Sequence, residues 1–219
     1  MVRRGIKPIE RLRGLGAVRD PTRLLKDIST PQLSDAVKSV TGENRAITSL
    51  KSVNGLMVAG RAVTAETSSR DWGTSVLAVD AADSGDVIFI RTDGDEMAVW
   101  GELTSMAAMN MGIAGAVIYG SCRDLDAIRG LDFPVFSRSH VPCAGEPLAE
   151  GSINMAVECD GVTVEPGDFI MGDESGVVAV PWRLIGDVVK EALKIKEKEI
   201  LIKDAYGRGL TLSEILGLK

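Results

Sequence analysis

The residues with the clearest chemical potential are Arg123 and Asp124, which stand side by side. They come two residues after AVIYG, a run typical of a buried strand. Open α/β sheets bind their ligands at the carboxyl ends of parallel strands, and we expect this pair to lie at such an end. A guanidinium can pair with a carboxylate through two hydrogen bonds, and an aspartate can ligate a hard cation. Taken alone, the pair equally fits a surface ion pair or an aspartate that caps a helix.

A second candidate lies at residues 100–104, WGELT, where a predicted strand passes into a predicted helix. A glycine at position 101 allows a ligand to approach the backbone closely. The unpaired N–H groups of the following helical turn carry partial positive charge, so they can bind a carboxylate or a phosphate. The same residues are also compatible with a plain tight turn.

The spacing of the two candidates predicts that they meet. Twenty residues separate Glu102 from Arg123, which is enough for one helix and one strand. A right-handed crossover brings two such strand ends to the same edge of a sheet. An anion-binding helix start, a carboxylate, an arginine and an aspartate would then converge on one cavity. Trp72 and the nearby Arg70 and Asp71 are candidates for the mouth of this cavity, with core packing as the alternative.

Composition limits the chemistry that such a cavity can perform. The chain has 219 residues, a net charge of −6, three well-separated cysteines and a single histidine, His140. A multi-histidine metal site within one chain is therefore excluded, and a resident metal is expected to be a hard, oxygen-bound ion such as Mg²⁺ or Mn²⁺.

The acidic balance of the chain argues against a nucleic-acid partner. The basic start of the chain has no apolar stretch after it, and no apolar run approaches the roughly 20 residues of a membrane span, so we expect a cytoplasmic protein without a membrane association.

The predicted elements describe one α/β domain over residues 1–219. Helices are expected over about 8–40, and strands alternate with short helices from 57 to 136. This rhythm predicts βαβ units and a partly parallel sheet. Short strands separated by Gly, Pro and Asp follow residue 145. A long helix is expected from Trp182 to about Tyr206, because apolar residues recur there at helical spacing.

The stretch GELTSMAAMNMGIAGAVIYGSCRDLDAIRGLDFPVFSRSHVP resembles the signature of the RraA-like family. LSDA, SGDVIFI and GVTVEPGDFIMGDESGVVAVP, the last followed by a long helix, extend the resemblance over about residues 31–216. That family includes class II pyruvate aldolases that cleave 4-hydroxy-4-methyl-2-oxoglutarate and 4-carboxy-4-hydroxy-2-oxoadipate, and regulators that inhibit ribonuclease E. The resemblance implies a swivelling β/β/α domain and a homotrimer or hexamer with its sites between subunits.

The resemblance also implies roles for individual residues. Asp124 would ligate Mg²⁺ or Mn²⁺, and Glu102 would act on the ion through water. Arg123 would bind the oxo-acid substrate and stabilise the enolate that forms from it. The substrate carboxylate would be held by the backbone around Gly101, Leu103 and Thr104.

Two features of the resemblance concern other acidic residues. The aldolases carry an aspartate where this chain has Glu102, and the extra methylene changes the reach of the carboxylate. An acidic residue on the C-terminal helix of a neighbouring subunit would be Glu199 or Glu197. Asp35, in the LSDA motif, is a further candidate for the site.

The sequence thus predicts a divalent-metal-dependent pyruvate aldolase that acts on 4-hydroxy-2-oxo acids, with oxaloacetate decarboxylation as a side activity. The alternative is a non-catalytic regulator of the ribonuclease E inhibitor type. The presence of the full set, an acidic residue followed by the Arg-Asp pair, favours the enzyme because regulators in this family tend to lack it.

Overall fold

The computed structural model describes Leu25 and residues 27–218, and these contain six α-helices and twelve β-strands. The helices are α1 (Thr30–Thr41), α2 (Gly73–Asp80), α3 (Glu102–Asn110), α4 (Leu125–Arg129), α5 (Ile185–Gly207) and α6 (Leu212–Ile215). The strands are β1 (Ala46–Ile47), β2 (Lys51–Ser52), β3 (Val58–Thr67), β4 (Val87–Thr92), β5 (Ala98–Trp100), β6 (Gly115–Cys122), β7 (Val135–His140), β8 (Ser152–Ile153), β9 (Val157–Cys159), β10 (Val162–Val164), β11 (Phe169–Asp173) and β12 (Gly176–Val180). The predicted helical stretch before residue 25 lies outside the described residues.

Ten of the strands form one mixed sheet with the order β1-β12-β11-β3-β4-β6-β7-β2, in which β5 also pairs with β6 and β8 with β3. Strands β3, β4, β6 and β7 run parallel, and β5 runs parallel to β6. The remaining two strands, β9 and β10, form an antiparallel hairpin. The predicted α/β class with a partly parallel sheet is therefore confirmed.

Alternation along the parallel strands creates two buried faces, since successive side chains point to opposite sides of a strand. Ile88 and Ile118 pack with residues of α2, α3 and α4 on one face. Phe89 and Val117 pack with the β9–β10 hairpin on the other. The hairpin, the sheet and the helices thus stack as β/β/α layers, the architecture that the resemblance implied.

A third apolar cluster joins the terminal helices to the antiparallel end of the sheet. Leu33 and Val37 of α1 and Val188 of α5 are fully or almost fully buried against β11 and β12. Helix α1 begins with a capping box between Ser29 and Gln32, which satisfies backbone donors at its first turn. Helix α5 follows a short 3₁₀ turn at Trp182–Leu184, so the regular helix begins three residues after the predicted start.

None of the helices within the described residues combines the length and the apolar character that a membrane crossing requires. The longest of them, α5, carries charged side chains along much of its length.

Candidate active site

The two sequence candidates lie next to each other at the carboxyl edge of the parallel strands. Strand β5 ends at Trp100 and β6 ends at Cys122, and these two residues are paired in parallel register. The N–H of Arg123 donates a hydrogen bond to the carbonyl of Trp100 at 3.0 Å. The structure therefore places the start of α3 beside the Arg-Asp pair, as the spacing of twenty residues predicted.

The start of α3 is fixed by a short chain of hydrogen bonds. The Trp100 indole N–H donates to the Ser105 hydroxyl at 2.8 Å, and that hydroxyl donates to the carbonyl of Gly101 at 2.9 Å. Gly101 itself is extended, with φ −162°. Among the described residues, the N–H groups of Leu103 and Thr104 have no hydrogen-bond acceptor, as is usual in the first turn of a helix. They are therefore available to an anionic ligand.

Asp124 joins the two halves of the site. It occupies the N-cap position of α4 in the left-handed backbone region, with φ 59°, and its carbonyl accepts from the Ile128 N–H at 2.9 Å. Its carboxylate does not cap α4. Instead, Oδ2 accepts the N–H of Glu102 at 3.2 Å and lies 3.6 Å from Nε of Arg123. The aspartate therefore faces the start of α3, which a plain helix cap does not require.

These groups line an open cavity of about 330 Å³. Its polar side consists of backbone and side chains from Gly101, Glu102, Thr104, Arg123 and Asp124. Its apolar side consists of Trp72, Ala98, Val99, Trp100, Leu103 and Ala144. The side chains of Arg123 and Asp124 are 43% and 39% exposed, so both can meet a ligand from solvent.

A buried carboxylate, that of Asp71, supports the apolar side of the cavity. Asp71 is 1% exposed, and the segment of residues 143–151 is tied to it by the N–H groups of Ala149 and Glu150 at 2.9 and 3.0 Å. Burial by itself would raise the pKa of Asp71, but hydrogen bonds from Thr74, Ala149, Thr67 and Glu150 outweigh it and hold the pKa well below its usual range. Trp72 lines the cavity, whereas Asp71 supports it from inside the protein.

Asp35 and Glu199 lie elsewhere in this chain. Asp35 is an exposed residue of α1, and Glu199 accepts a hydrogen bond from the side-chain amide of Gln32 at 2.6 Å. Neither residue lines the cavity at Gly101. Their contribution to a site in a neighbouring subunit stays a prediction.

Sequence reasoning missed Ala98, Val99 and Ala144 as lining residues. Ala98 and Ala144 form an isolated parallel bridge, and the N–H of Ala98 donates to the carbonyl of Cys143 at 2.8 Å. No chemical signal could have identified these residues, because small apolar side chains reach the cavity only through long-range backbone pairing.

Replacing Gly101 by alanine is expected to impair the site without unfolding the protein. A Cβ at this position would stand 2.6 Å from Oδ2 of Asp124 and 3.3 Å from Cγ of Arg123. The backbone is in an ordinary extended conformation, so the effect comes from contact and not from strain. We expect ligand-dependent activity to fall at least about 10-fold, since misplacement of a reacting group by 1 Å can cost about 100-fold.

The matched control is Gly186→Ala in α5, where a Cβ meets no atom within 4 Å. This variant should keep full activity. Gly101→Ala with wild-type activity would contradict the placement of Asp124 against the start of α3.

Comparison with known proteins agrees with the architecture. The family model RraA-like, described as Aldolase/RraA, matches residues 30–179. A protein of Halalkalibacterium halodurans named "Putative 4-hydroxy-4-methyl-2-oxoglutarate aldolase" is 35% identical over 170 residues, which cover 77% of this chain and 80% of that protein.

Solved structures extend the comparison to the whole fold. An uncharacterized protein from Pseudomonas syringae pv. tomato superposes with a TM-score of 0.82 at 28% identity, covering 97% of this chain and 96% of that one. The RNA-processing inhibitor RraA from Thermus thermophilis superposes with a TM-score of 0.62 at 24% identity, covering 68% and 92%. The second likeness concerns the fold alone.

Proposed function

The chain belongs to the RraA-like family, and from that premise we propose that it is a divalent-metal-dependent class II pyruvate aldolase. Its substrates would be 4-hydroxy-2-oxo acids such as 4-hydroxy-4-methyl-2-oxoglutarate, which the name of the Halalkalibacterium relative contains. The observation that carries the proposal is the meeting of Arg123, Asp124 and the start of α3 at one cavity.

Each part of the cavity has a task in this reaction. The free N–H groups of Leu103 and Thr104 would bind the substrate carboxylate at the positive end of α3. Arg123 would orient the 2-oxo group and stabilise the negative charge that develops when the C3–C4 bond breaks. Glu102, which lines the same cavity, would receive the proton of the 4-hydroxyl through a water molecule. Proton return to C3 then gives pyruvate.

The donors at the site fit a hard cation that keeps most of its water. Within the described residues, no group of three or more His, Cys, Asp or Glu side chains could hold a metal. Asp124 and Glu102 both line the cavity, and Mg²⁺ typically binds through one or two carboxylates together with water and substrate oxygens. Mg²⁺ or Mn²⁺ held by Asp124 would supply Lewis-acid charge at the 2-oxo oxygen.

Oxaloacetate decarboxylation is part of the proposal as a side activity. Loss of carbon dioxide from oxaloacetate leaves the same pyruvate enolate as the cleavage of a 4-hydroxy-2-oxo acid. Arg123 and the start of α3 would therefore stabilise both reactions, because the charge develops on the same atoms.

The alternative is a non-catalytic regulator of the ribonuclease E inhibitor type. The likeness to the RNA-processing inhibitor is a likeness of fold, and one fold can carry unrelated functions. The convergence of Arg123, Asp124 and Glu102 on one cavity favours the enzyme, because pure binding to a protein partner does not require this arrangement.

A homotrimer, or a hexamer of two trimers, remains part of the proposal. Leu103, Met106 and Met109 of α3 and Leu77 of α2 are exposed apolar side chains, and Leu103 also lines the cavity. Such a surface is typical of a protein–protein contact. Burial of this surface against another subunit would bring the neighbour's residues to the cavity.

The decisive test is release of pyruvate from 4-hydroxy-4-methyl-2-oxoglutarate and from oxaloacetate, measured with Mg²⁺, with Mn²⁺ and with EDTA. We expect turnover with either metal and a loss of at least about 100-fold with EDTA, because the Lewis acid acts on charge that develops in the transition state. Turnover that is indifferent to EDTA would contradict the metal. No turnover of either substrate would shift the assignment to the regulator, which pull-down of protein partners would then examine.

A further inference from the structure

Helix α3 begins without a side chain that caps it. Its N-cap residue is Gly101, whereas the N-cap serine of α1 accepts a hydrogen bond from the first turn of that helix. An N-cap side chain fixes a helix start by accepting the N–H of the second or third helical residue. In α3 these are the N–H groups of Leu103 and Thr104, which the proposed function reserves for the substrate carboxylate. The start of α3 must therefore be fixed by other groups.

The hydroxyl of Ser105 fixes this start from inside the protein. An indole N–H can only donate a hydrogen bond, and a backbone carbonyl can only accept one. The Ser105 hydroxyl therefore accepts from the indole of Trp100 and donates its own proton to the carbonyl of Gly101. A serine in a helix often makes the second of these bonds. The bond from the indole is additional, and it attaches the hydroxyl to the end of β5, outside the helix.

The indole that holds this hydroxyl is closely packed. Trp100 is 2% exposed, and Ser105 is fully buried. The Trp100 ring stacks on Phe133, with the ring centroids 6.5 Å apart and an angle of 10° between the ring planes. Because both polar groups are buried, removal of the hydroxyl would leave the indole N–H without an acceptor. The two hydrogen bonds of Ser105 therefore form a fixed connection between β5 and the start of α3.

A single peptide unit extends this connection to Asp124. The carbonyl of Gly101 and the N–H of Glu102 belong to the same planar unit, and they point in opposite directions. On one side the carbonyl accepts from Ser105, and on the other side the N–H donates to Oδ2 of Asp124 at 3.2 Å. Rotation of this unit would disturb both hydrogen bonds together. The orientation of the Asp124 carboxylate thus depends on the group that holds the carbonyl.

Building on the proposed function, we propose that Ser105 is a positioning residue of this site. Its hydroxyl holds the peptide unit between Gly101 and Glu102, and through that unit it keeps the carboxylate of Asp124 directed at the start of α3. Ser105 does not line the cavity, so it acts on the reaction only through these neighbours.

The first measurement is metal-dependent pyruvate release from oxaloacetate by Ser105→Ala and Ser105→Thr. Alanine frees the peptide unit to rotate, so we expect kcat with saturating Mg²⁺ and substrate to fall at least about 10-fold, because displacement of a reacting group by 1 Å can cost about 100-fold. Threonine keeps a hydroxyl that can bond to the carbonyl four residues earlier, so it should restore most of kcat. Should Ser105→Ala not fold, Ser105→Cys keeps a similar side-chain volume with only weak hydrogen bonding and should show the same loss.

The second measurement needs neither metal nor substrate. Hydrogen exchange of the Glu102 amide, followed by NMR, should be faster in Ser105→Ala than in wild type, because the peptide unit no longer holds this N–H against Asp124. Amides of β4 and β6 should keep their protection, which a general loss of stability would not allow.

The matched control is Ser75→Ala in α2. Ser75 is also fully buried, and its hydroxyl has no hydrogen-bond partner within the described residues. This variant removes a buried serine hydroxyl from the same layer of helices without touching the peptide unit at Gly101. It should change neither kcat nor the exchange of the Glu102 amide.

The outcomes separate this inference from the proposed function. A lower kcat and faster Glu102 exchange in Ser105→Ala, both largely restored in Ser105→Thr, support the two together. Turnover or Glu102 exchange in Ser105→Ala equal to that of wild type overturns the inference and leaves the aldolase intact. An equal loss in Ser75→Ala also overturns it, because the effect would then come from packing of the helices. Absence of turnover by the wild type with either metal overturns the proposed function and the inference with it.

Discussion

Replacing Asp124 by asparagine is expected to lower metal-dependent pyruvate release by at least about 100-fold while the protein stays folded. The carboxylate of Asp124 is the group that faces both the start of α3 and Arg123. Asparagine keeps its shape but removes the negative charge that a hard cation requires. The measurement is pyruvate release with Mg²⁺ and with Mn²⁺, together with thermal unfolding of the same samples.

Asparagine is a sharper probe than alanine at this position because the backbone is left-handed, with φ 59°. Asn tolerates that region better than most residues, so the substitution adds little strain. Its amide oxygen can also accept the N–H of Glu102 in place of Oδ2. Asp124→Ala would lose this hydrogen bond and strain the turn, so a loss of activity there would have two causes.

Asp126→Asn supplies the matched control two residues further on. The Asp126 side chain is fully exposed and pairs with Arg129 at 3.1 Å on the surface of α4. Like Asp124→Asn, the Asp126→Asn substitution removes one negative charge near the start of α4, but it should leave activity unchanged. Asp124→Asn with intact metal-dependent turnover would refute Asp124 as the metal ligand, whatever its effect on unfolding.

The parts of the site that depend only on the order of neighbouring elements along the chain could be predicted from the sequence. Residues 98–122 form a strand, a glycine, a helix and a second strand, in the order that the sequence predicted. Parallel pairing of β5 and β6 then requires Gly101 and Arg123 to lie at one edge. The apolar run AVIYG likewise predicted a buried strand, and β6 contributes side chains to both buried faces of the sheet.

The parts that the sequence did not predict depend on contacts between distant segments. Strands β1, β2 and β8 have two residues each, too few for a period of two to be recognised. They form because β12, β7 and β3 offer edges to pair with. The same reasoning applies to Ala144, whose position at the cavity follows from its bridge to Ala98.

Replacing Asp71 by alanine is expected to destabilise the protein by at least about 3 kcal/mol. Its two carboxylate oxygens accept hydrogen bonds from the hydroxyls of Thr67 and Thr74 and from the N–H groups of Gly73, Ala149 and Glu150, at distances between 2.7 and 3.0 Å. Each buried donor left without an acceptor costs about 1–3 kcal/mol. Urea unfolding of the purified variant measures the loss, and Asp80→Ala, at an exposed residue of the following helix α2, should change stability by less than about 0.5 kcal/mol.

The pH dependence of stability gives an independent measure of the same carboxylate. Because the pKa of Asp71 is lowered in the folded protein, the unfolded chain takes up the proton first as pH falls. The stabilisation is therefore complete above the ordinary Asp pKa of about 3.9 and decreases as pH falls below it. Asp71→Asn should remove this part of the dependence, so the difference in unfolding free energy between wild type and Asp71→Asn should shrink from pH 6 toward acid, by roughly 1.4 kcal/mol for each pKa unit of the shift.

The same variant connects stability to the cavity. Asp71 anchors the segment of residues 143–151, which carries Ala144 and supplies the carbonyl that holds the Trp72 indole. We expect the N–H groups of Ala149 and Glu150 to exchange with solvent faster in Asp71→Asn than in wild type, while amides of β4 and β6 keep their protection. Unchanged exchange at these two amides, or a pH dependence equal to that of the wild type, would contradict the anchoring role. Faster exchange confined to this segment would mean that the apolar side of the cavity is a local unit whose order one buried carboxylate maintains.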